Sequence, residues 1–195
     1  MPKKAPKKTP KKTLNTYGEN GSTLGQQLNY KTPGSEYNTG SLGHVTGIGT
    51  GICLAAKLDK KDYACIALLG DGECYEGTVW EAAMFASHHG LNNLTAIIDR
   101  NKLATLDKTE NINRLEPFAE KWISFGWEVK EVDGHVIKDI AQSLAGFRNR
   151  NSNKPLVIIA NTIKGKGISF MENQVKWHHG VPNREHLETA LKELK

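Results

Sequence analysis

Three stretches of the chain are apolar at most positions, YACIALL at Tyr63–Leu69, LTAIID at Leu94–Asp99 and LVIIA at Leu156–Ala160, and Trp127–Val132, half apolar, reads as a fourth strand. Each has the length of a strand, and apolar runs with little alternation predict strands buried on both faces. Segments with helical spacing stand between them. Glu76–His89 is alanine-rich and closed by Gly90; Leu115–Phe125 places Phe118, Trp122 and Phe125 on one face; Val136–Arg150 turns Val136, Ile140, Leu144 and Phe147 inward; Glu185–Leu194 aligns Leu187, Leu191 and Leu194. The alternation predicts an α/β fold with a doubly wound, mostly parallel sheet. In such sheets ligands sit beyond the carboxyl ends of the strands.

Gly43–Lys57 (GHVTGIGTGICLAAK) is a helix of another kind. Gly43, Gly47, Gly51 and Ala55 recur every four residues and leave one face nearly bare. A helical glycine costs roughly 1 kcal/mol relative to alanine, so the row calls for close approach by a backbone, a phosphate or a partner helix. Packing on the sheet is the equal alternative. Upstream, residues 13–41 are rich in Gly, Asn, Thr and Ser and read as irregular structure, long for a connection inside one domain.

Charge changes the picture only at one end. The net charge of +5 becomes −1 once the six lysines among the first twelve residues are set aside. Residues 1–13 are expected to be a disordered Lys/Pro tail, with residues 14–195 forming one domain. No folded basic face supports nucleic acid as a partner, and no apolar run is long enough to span a membrane. Cys53, Cys65 and Cys74 form no CxxC pair, as expected of reduced thiols in the cytoplasm; Cys74, inside the loop described next, is a minor candidate ligand.

The chemistry gathers in GDGECYEG, Gly70–Gly77. Asp71 follows one strand and Asn101, in IIDRNK, follows the next, so both leave the sheet at the same edge. One carboxylate, one amide oxygen and the Leu103 carbonyl make a hard-oxygen set suited to Mg²⁺, with phosphate oxygens completing the octahedron. Gly70 and Gly72 would let a diphosphate approach the chain. GDG alone is a common turn; the asparagine thirty residues later makes the pattern specific.

With these residues in place, GDGECYEGTVWEAAMFASHHGLNNLTAIIDRNK resembles the thiamine-diphosphate-binding core of transketolase, in the form whose halves are separate chains. KTPGSEYNTGSLG (Lys31–Gly43), EVDGH (Glu131–His135), TIKGKGISFMEN (Thr162–Asn173) and WHHGVPN (Trp177–Asn183) agree with it. The resemblance implies a thiamine-diphosphate-binding (PP-type) fold and Mg²⁺ held by Asp71, Asn101 and Leu103. It also implies that Gly43, Gly70, Gly72 and Glu73 border the cofactor, and that Glu76 lies near it at an interface between chains. His178 would point at cofactor and substrate, with His179 competing for that place. Lys164 and Lys166 are candidates to attract phosphate, and His135 to shape a turn.

The resemblance further implies homo- or hetero-oligomer formation with a separate pyrimidine-binding (C-terminal) subunit. The implied reaction is two-carbon ketol transfer between sugar phosphates in the pentose phosphate pathway. The chain departs from the family pattern upstream of KTPG, where two histidine-bearing stretches are expected and Gln26 stands for a histidine. His44 and Val45 replace Gln and Gly, and Ala104 and Leu106 replace polar residues after Asn101. These departures leave open a catalytically inactive relative or fragment acting as a binding module. They also predict an N-terminally truncated domain with an uncovered apolar surface at one sheet face or at the Gly43/Gly47/Gly51 row.

Overall fold

The computed structural model describes residues 11–146 and 151–195. The Lys/Pro tail over residues 1–10 and Phe147 lie outside them. Lys11–Leu14 forms one helical turn (α1). From Asn15 to His44 the chain is irregular and hydrogen-bonds to itself: Thr32 Oγ1 donates to the Thr23 carbonyl and the Tyr30 amide to Asn38 Oδ1.

Beyond it, helices and strands alternate as the pattern predicts. They are α2 (Val45–Leu58), β1 (Cys65–Gly70), α3 (Gly77–His88), β2 (Leu94–Arg100), α4 (Thr109–Ile112), α5 (Phe118–Ser124), β3 (Glu128–Asp133), α6 (Ile137–Ala145), β4 (Leu156–Asn161) and α7 (Arg184–Glu193). The strands form one sheet of order β1-β2-β4-β3 with every neighbouring pair parallel. Leu69 pairs with Ile98 and Ile98 with Ile159, which brings the carboxyl ends of β1, β2 and β4 level.

The core lies between the sheet and helices α2, α3 and α5. Leu69, Ala96, Ile98, Val157 and Ile159 meet Cys53, Val79, Ala83 and Ala86. Trp122 packs 5.0 Å (ring centroids) from both Trp80 and Trp127, and the Trp127 indole donates to the Ala83 carbonyl across α3. Burying an indole this fully contributes roughly 3 kcal/mol or more. β4 is buried from Leu156 to Ala160, as a central parallel strand requires. β3 differs: its Glu128, Lys130, Glu131 and Asp133 suit an edge.

The two glycines of the row that lie within α2 meet neither the sheet nor a helix among the described residues. Gly43 precedes the helix. Gly47 and Gly51 are exposed, with nothing within 4 Å of where a side-chain carbon would stand, while a carbon at Gly49 would contact Leu94, Cys65 and Ala67. Gly47 and Gly51 instead line an open groove of about 610 Å³ with Ile48, Leu54, Ala82 and Phe85. Ile66 and Leu68, on the outward side of edge strand β1, are 51% and 66% exposed. The leucines aligned on α7 are also exposed, Ala190 being its buried residue. In α6, Val136 sits at the N-cap, partly exposed, instead of within the helix.

Candidate metal and diphosphate site

β1 ends at Gly70, and the next residue caps a short 3-10 turn, Gly72–Tyr75. Asp71 Oδ1 accepts from the Gly72 amide at 2.7 Å, and the Asp71 amide donates to the Asp99 carbonyl, extending the β1–β2 ladder by one step. Asp71 is 1% exposed. Its Oδ2 accepts from the Lys102 amide at 2.6 Å and from the Arg100 guanidinium at 3.1 Å. The acid after β1 is thus tied to the loop after β2, the loop that carries Asn101.

Asn101 Oδ1 accepts from the Leu103 amide at 3.0 Å, and its amide group donates to Asp99 at 3.3 Å. Asp99 is held in turn by the Thr162 hydroxyl at the end of β4. Asp71, Asn101 and Leu103 therefore occupy two adjacent loops joined by a hydrogen bond. A carboxylate offers about four acceptor positions and an amide oxygen about two. Three of those on Asp71 are used and one on Asn101, so each keeps room for a further donor or a cation. Oxygen donors of this kind fit Mg²⁺.

Burial pushes the Asp71 carboxyl above its ordinary range, against the Lys102, Arg100 and Gly72 bonds that pull it down. Cys74 is buried, and burial together with Glu73 and Asp71 drives its thiol upward, toward the neutral form.

Glu73 and Gly43 form a second junction. The Glu73 carboxylate, nearly buried, accepts from the Gly43 amide at 2.9 Å and the Gly70 amide at 3.4 Å. The Thr78 hydroxyl donates to the Gly43 carbonyl at 2.9 Å. Gly43 has φ +86°, and a side-chain carbon there would stand 2.5 Å from Glu76 Cβ. Glu73 thus anchors the loop before α2 to the GDG turn. Glu76 is the N-cap residue of α3, exposed, with no side-chain capping bond. Above Gly70 the space is open, and a side-chain carbon at Gly72 would make ordinary contact with Ala104.

Of the two adjacent histidines, His178 reaches this region: its Nε2 lies 3.2 Å from Thr105 Oγ1, on the loop after Asn101. Partial burial, Lys164 and His179 lower its pKa. Lys166 pairs at 3.9 Å with Glu172. His135 accepts from the Ile163 amide at 2.8 Å and so ties the turn after β3 to the end of β4. Gln26 and His44 are both exposed.

Sequence reasoning missed Arg100. It is 2% exposed and bonds Asp71, Thr109 Oγ1 (2.9 Å), Glu110 (3.1 Å) and Glu116 (2.8 Å), with Phe118 under its guanidinium. The available signal was an arginine closing an otherwise apolar strand, LTAIIDR, with acids ten and sixteen residues on.

Residues 12–194 match the model of the family described as transketolase, thiamine diphosphate binding domain. The chain belongs to that family. Among its relatives is a subunit of the apulose-4-phosphate transketolase of Phocaeicola vulgatus, 45% identical over 180 residues, which are 92% of this chain and 64% of the relative. Another is the 6-deoxy-6-sulfo-D-fructose transketolase subunit SqwG of a Clostridium species, 38% identical over 93% of this chain and 66% of the relative. The chain thus spans just under two thirds of these subunits. The crystal structure of transketolase from Campylobacter jejuni superposes with a TM-score of 0.83 at 28% identity, over 94% of this chain and 30% of that one. The parallel sheet and its flanking helices are the thiamine-diphosphate-binding fold of that family. Both relatives are named as subunits.

Proposed function

We propose that this chain supplies the diphosphate-gripping half of a transketolase. Asp71, Asn101 and the Leu103 carbonyl would hold Mg²⁺, and Gly43, Gly70 and Gly72 would leave room for the diphosphate of thiamine diphosphate. The observation that carries the reading is the hydrogen bond from the Lys102 amide to Asp71, which fixes the acid and the asparagine loop together at one sheet edge. When bound, thiamine diphosphate supplies the carbanion chemistry that moves a two-carbon ketol unit between sugar phosphates.

The chain's own residues bind and orient. Asp71 and Asn101 present oxygens, Glu73 keeps Gly43 against the GDG turn, and the His178 imidazole, held neutral, is available to accept or donate a proton at Nε2. Glu76 would face a neighbouring chain. The pyrimidine-binding contribution would come from a separate C-terminal subunit. The relatives act, by name, on a phosphorylated and a sulfonated sugar, so the substrate class is a keto sugar with an anionic terminus. The cytoplasm fits that substrate class.

A binding module without turnover is the second reading, favoured by Gln26 and His44 standing where the resemblance implies histidine and glutamine. Calorimetric titration with thiamine diphosphate and Mg²⁺, with and without a pyrimidine-binding subunit, tests the first. Asp71→Ala is expected to weaken metal-dependent binding roughly 100-fold, about 2.7 kcal/mol. Equal binding by Asp71→Ala and the unaltered chain would remove the site. Metal-dependent binding with no ketol transfer would leave the module.

A further inference from the structure

We infer that Arg100 is a positioning residue that makes divalent-cation binding at Asp71 depend on the diphosphate, by disfavouring the bare ion. The inference rests on the proposed metal site and goes beyond it. Nη1 of Arg100 bonds Asp71 Oδ2 at 3.1 Å and Thr109 Oγ1 at 2.9 Å; Nη2 bonds Glu110 at 3.1 Å and Glu116 at 2.8 Å. With the Lys102 amide, the guanidinium fills Oδ2, whereas Oδ1 carries one hydrogen bond, from Gly72. Oδ2 is thus the oxygen Arg100 fixes, and Oδ1 the one with an acceptor position left.

The charge on Asp71 is partly balanced by a cation, shared with Glu110 and Glu116, that cannot lose its proton and, gripped at both ends, cannot swing aside. A metal ion arriving alone meets that positive charge across one buried carboxylate, where screening by water is weak. A diphosphate brings several negative charges to the same rim and offsets the repulsion. Glu110 and Glu116, bonded to the other guanidinium nitrogen, moderate it.

The test uses the 195-residue chain with Mn²⁺ as probe, by equilibrium dialysis, first alone and then with inorganic pyrophosphate. For the unaltered chain, pyrophosphate is expected to tighten Mn²⁺ binding about tenfold or more. In Arg100→Met, Mn²⁺ alone binds about tenfold tighter, and the pyrophosphate effect shrinks by the same factor. A purely structural role would weaken both. In Glu116→Gln, which alters a half-exposed partner, Mn²⁺ alone binds about two- to threefold more weakly and the pyrophosphate effect grows. Folded Arg100→Met with Mn²⁺ affinity unchanged or reduced overturns the inference. If that variant lacks a cooperative melt, Glu116→Gln decides, and no change there overturns it too. Mn²⁺ binding that Asp71→Ala leaves intact overturns the metal site and this inference together. Binding that depends on Asp71 and ignores Arg100 and Glu116 overturns this inference alone.

Discussion

His178 carries a charge question that its surroundings answer. Partial burial comes first, then Lys164 and His179, and all three act against the protonated ring. Its folded pKa is therefore below the ordinary 6.5, and between those two values the unfolded chain binds the proton more readily than the folded one. The His178 contribution to stability is present above about 6.5 and is lost as pH falls through the folded value. Histidine ring resonances followed against pH are expected to place the His178 midpoint below about 6.5. Lys164→Gln should move that midpoint upward. A His178 midpoint at or above about 6.5 would mean the imidazole is not held neutral beside Thr105.

At the scale of an element, α2 offers a paired test of its glycines. Gly43 stands before the helix in the left-handed region, its amide on Glu73 and its carbonyl on Thr78. A methyl there adds backbone strain to a clash with Glu76, so Gly43→Ala is expected to cost about 1–3 kcal/mol. Gly47 lies inside the helix, exposed, with nothing close, and Gly47→Ala is expected to stabilise by up to about 1 kcal/mol. Urea unfolding of the two variants measures both; equal effects would show that the row acts as a unit.

The spacing of glycines was legible in the sequence, but their division of labour was not. Helical period places Gly47 and Gly51 on one face without saying whether a neighbour covers it; only the packing of α2 on β1 shows that Gly49 is the one against the sheet. The strands, their order of appearance and the acid–amide pair at their ends were readable because each depends on local pattern. Arg100 was not. Its partners come from residues 71, 109, 110 and 116, and no periodicity links a strand-end arginine to them. For Glu73, the resemblance places the residue beside the cofactor but does not reveal that its two oxygens accept from the amides of Gly43 and Gly70, each with an acceptor position left.

At the scale of the molecule, the described residues divide unevenly between covered and uncovered apolar surface. The face of the sheet under α2, α3 and α5 is sealed by tryptophans and alanines. On β1 the opposite side is open: Ile66 and Leu68 project from an edge strand whose one neighbour among the described residues is β2. A sheet edge bearing apolar side chains invites pairing with another chain. Ile52 and Phe85 add apolar area on α2 and α3. Copies of the chain are therefore expected to associate, with a light-scattering mass that rises above 21.5 kDa as concentration increases. Ile66→Lys with Leu68→Lys places charge on the open side without touching the core under Ala67 and Leu69, so the mass should return to the monomer while stability stays within about 0.5 kcal/mol. Association that persists in the double variant would move the adhesive surface to α2 and α3; a monomer at every concentration would show that the β1 edge does not recruit a second chain.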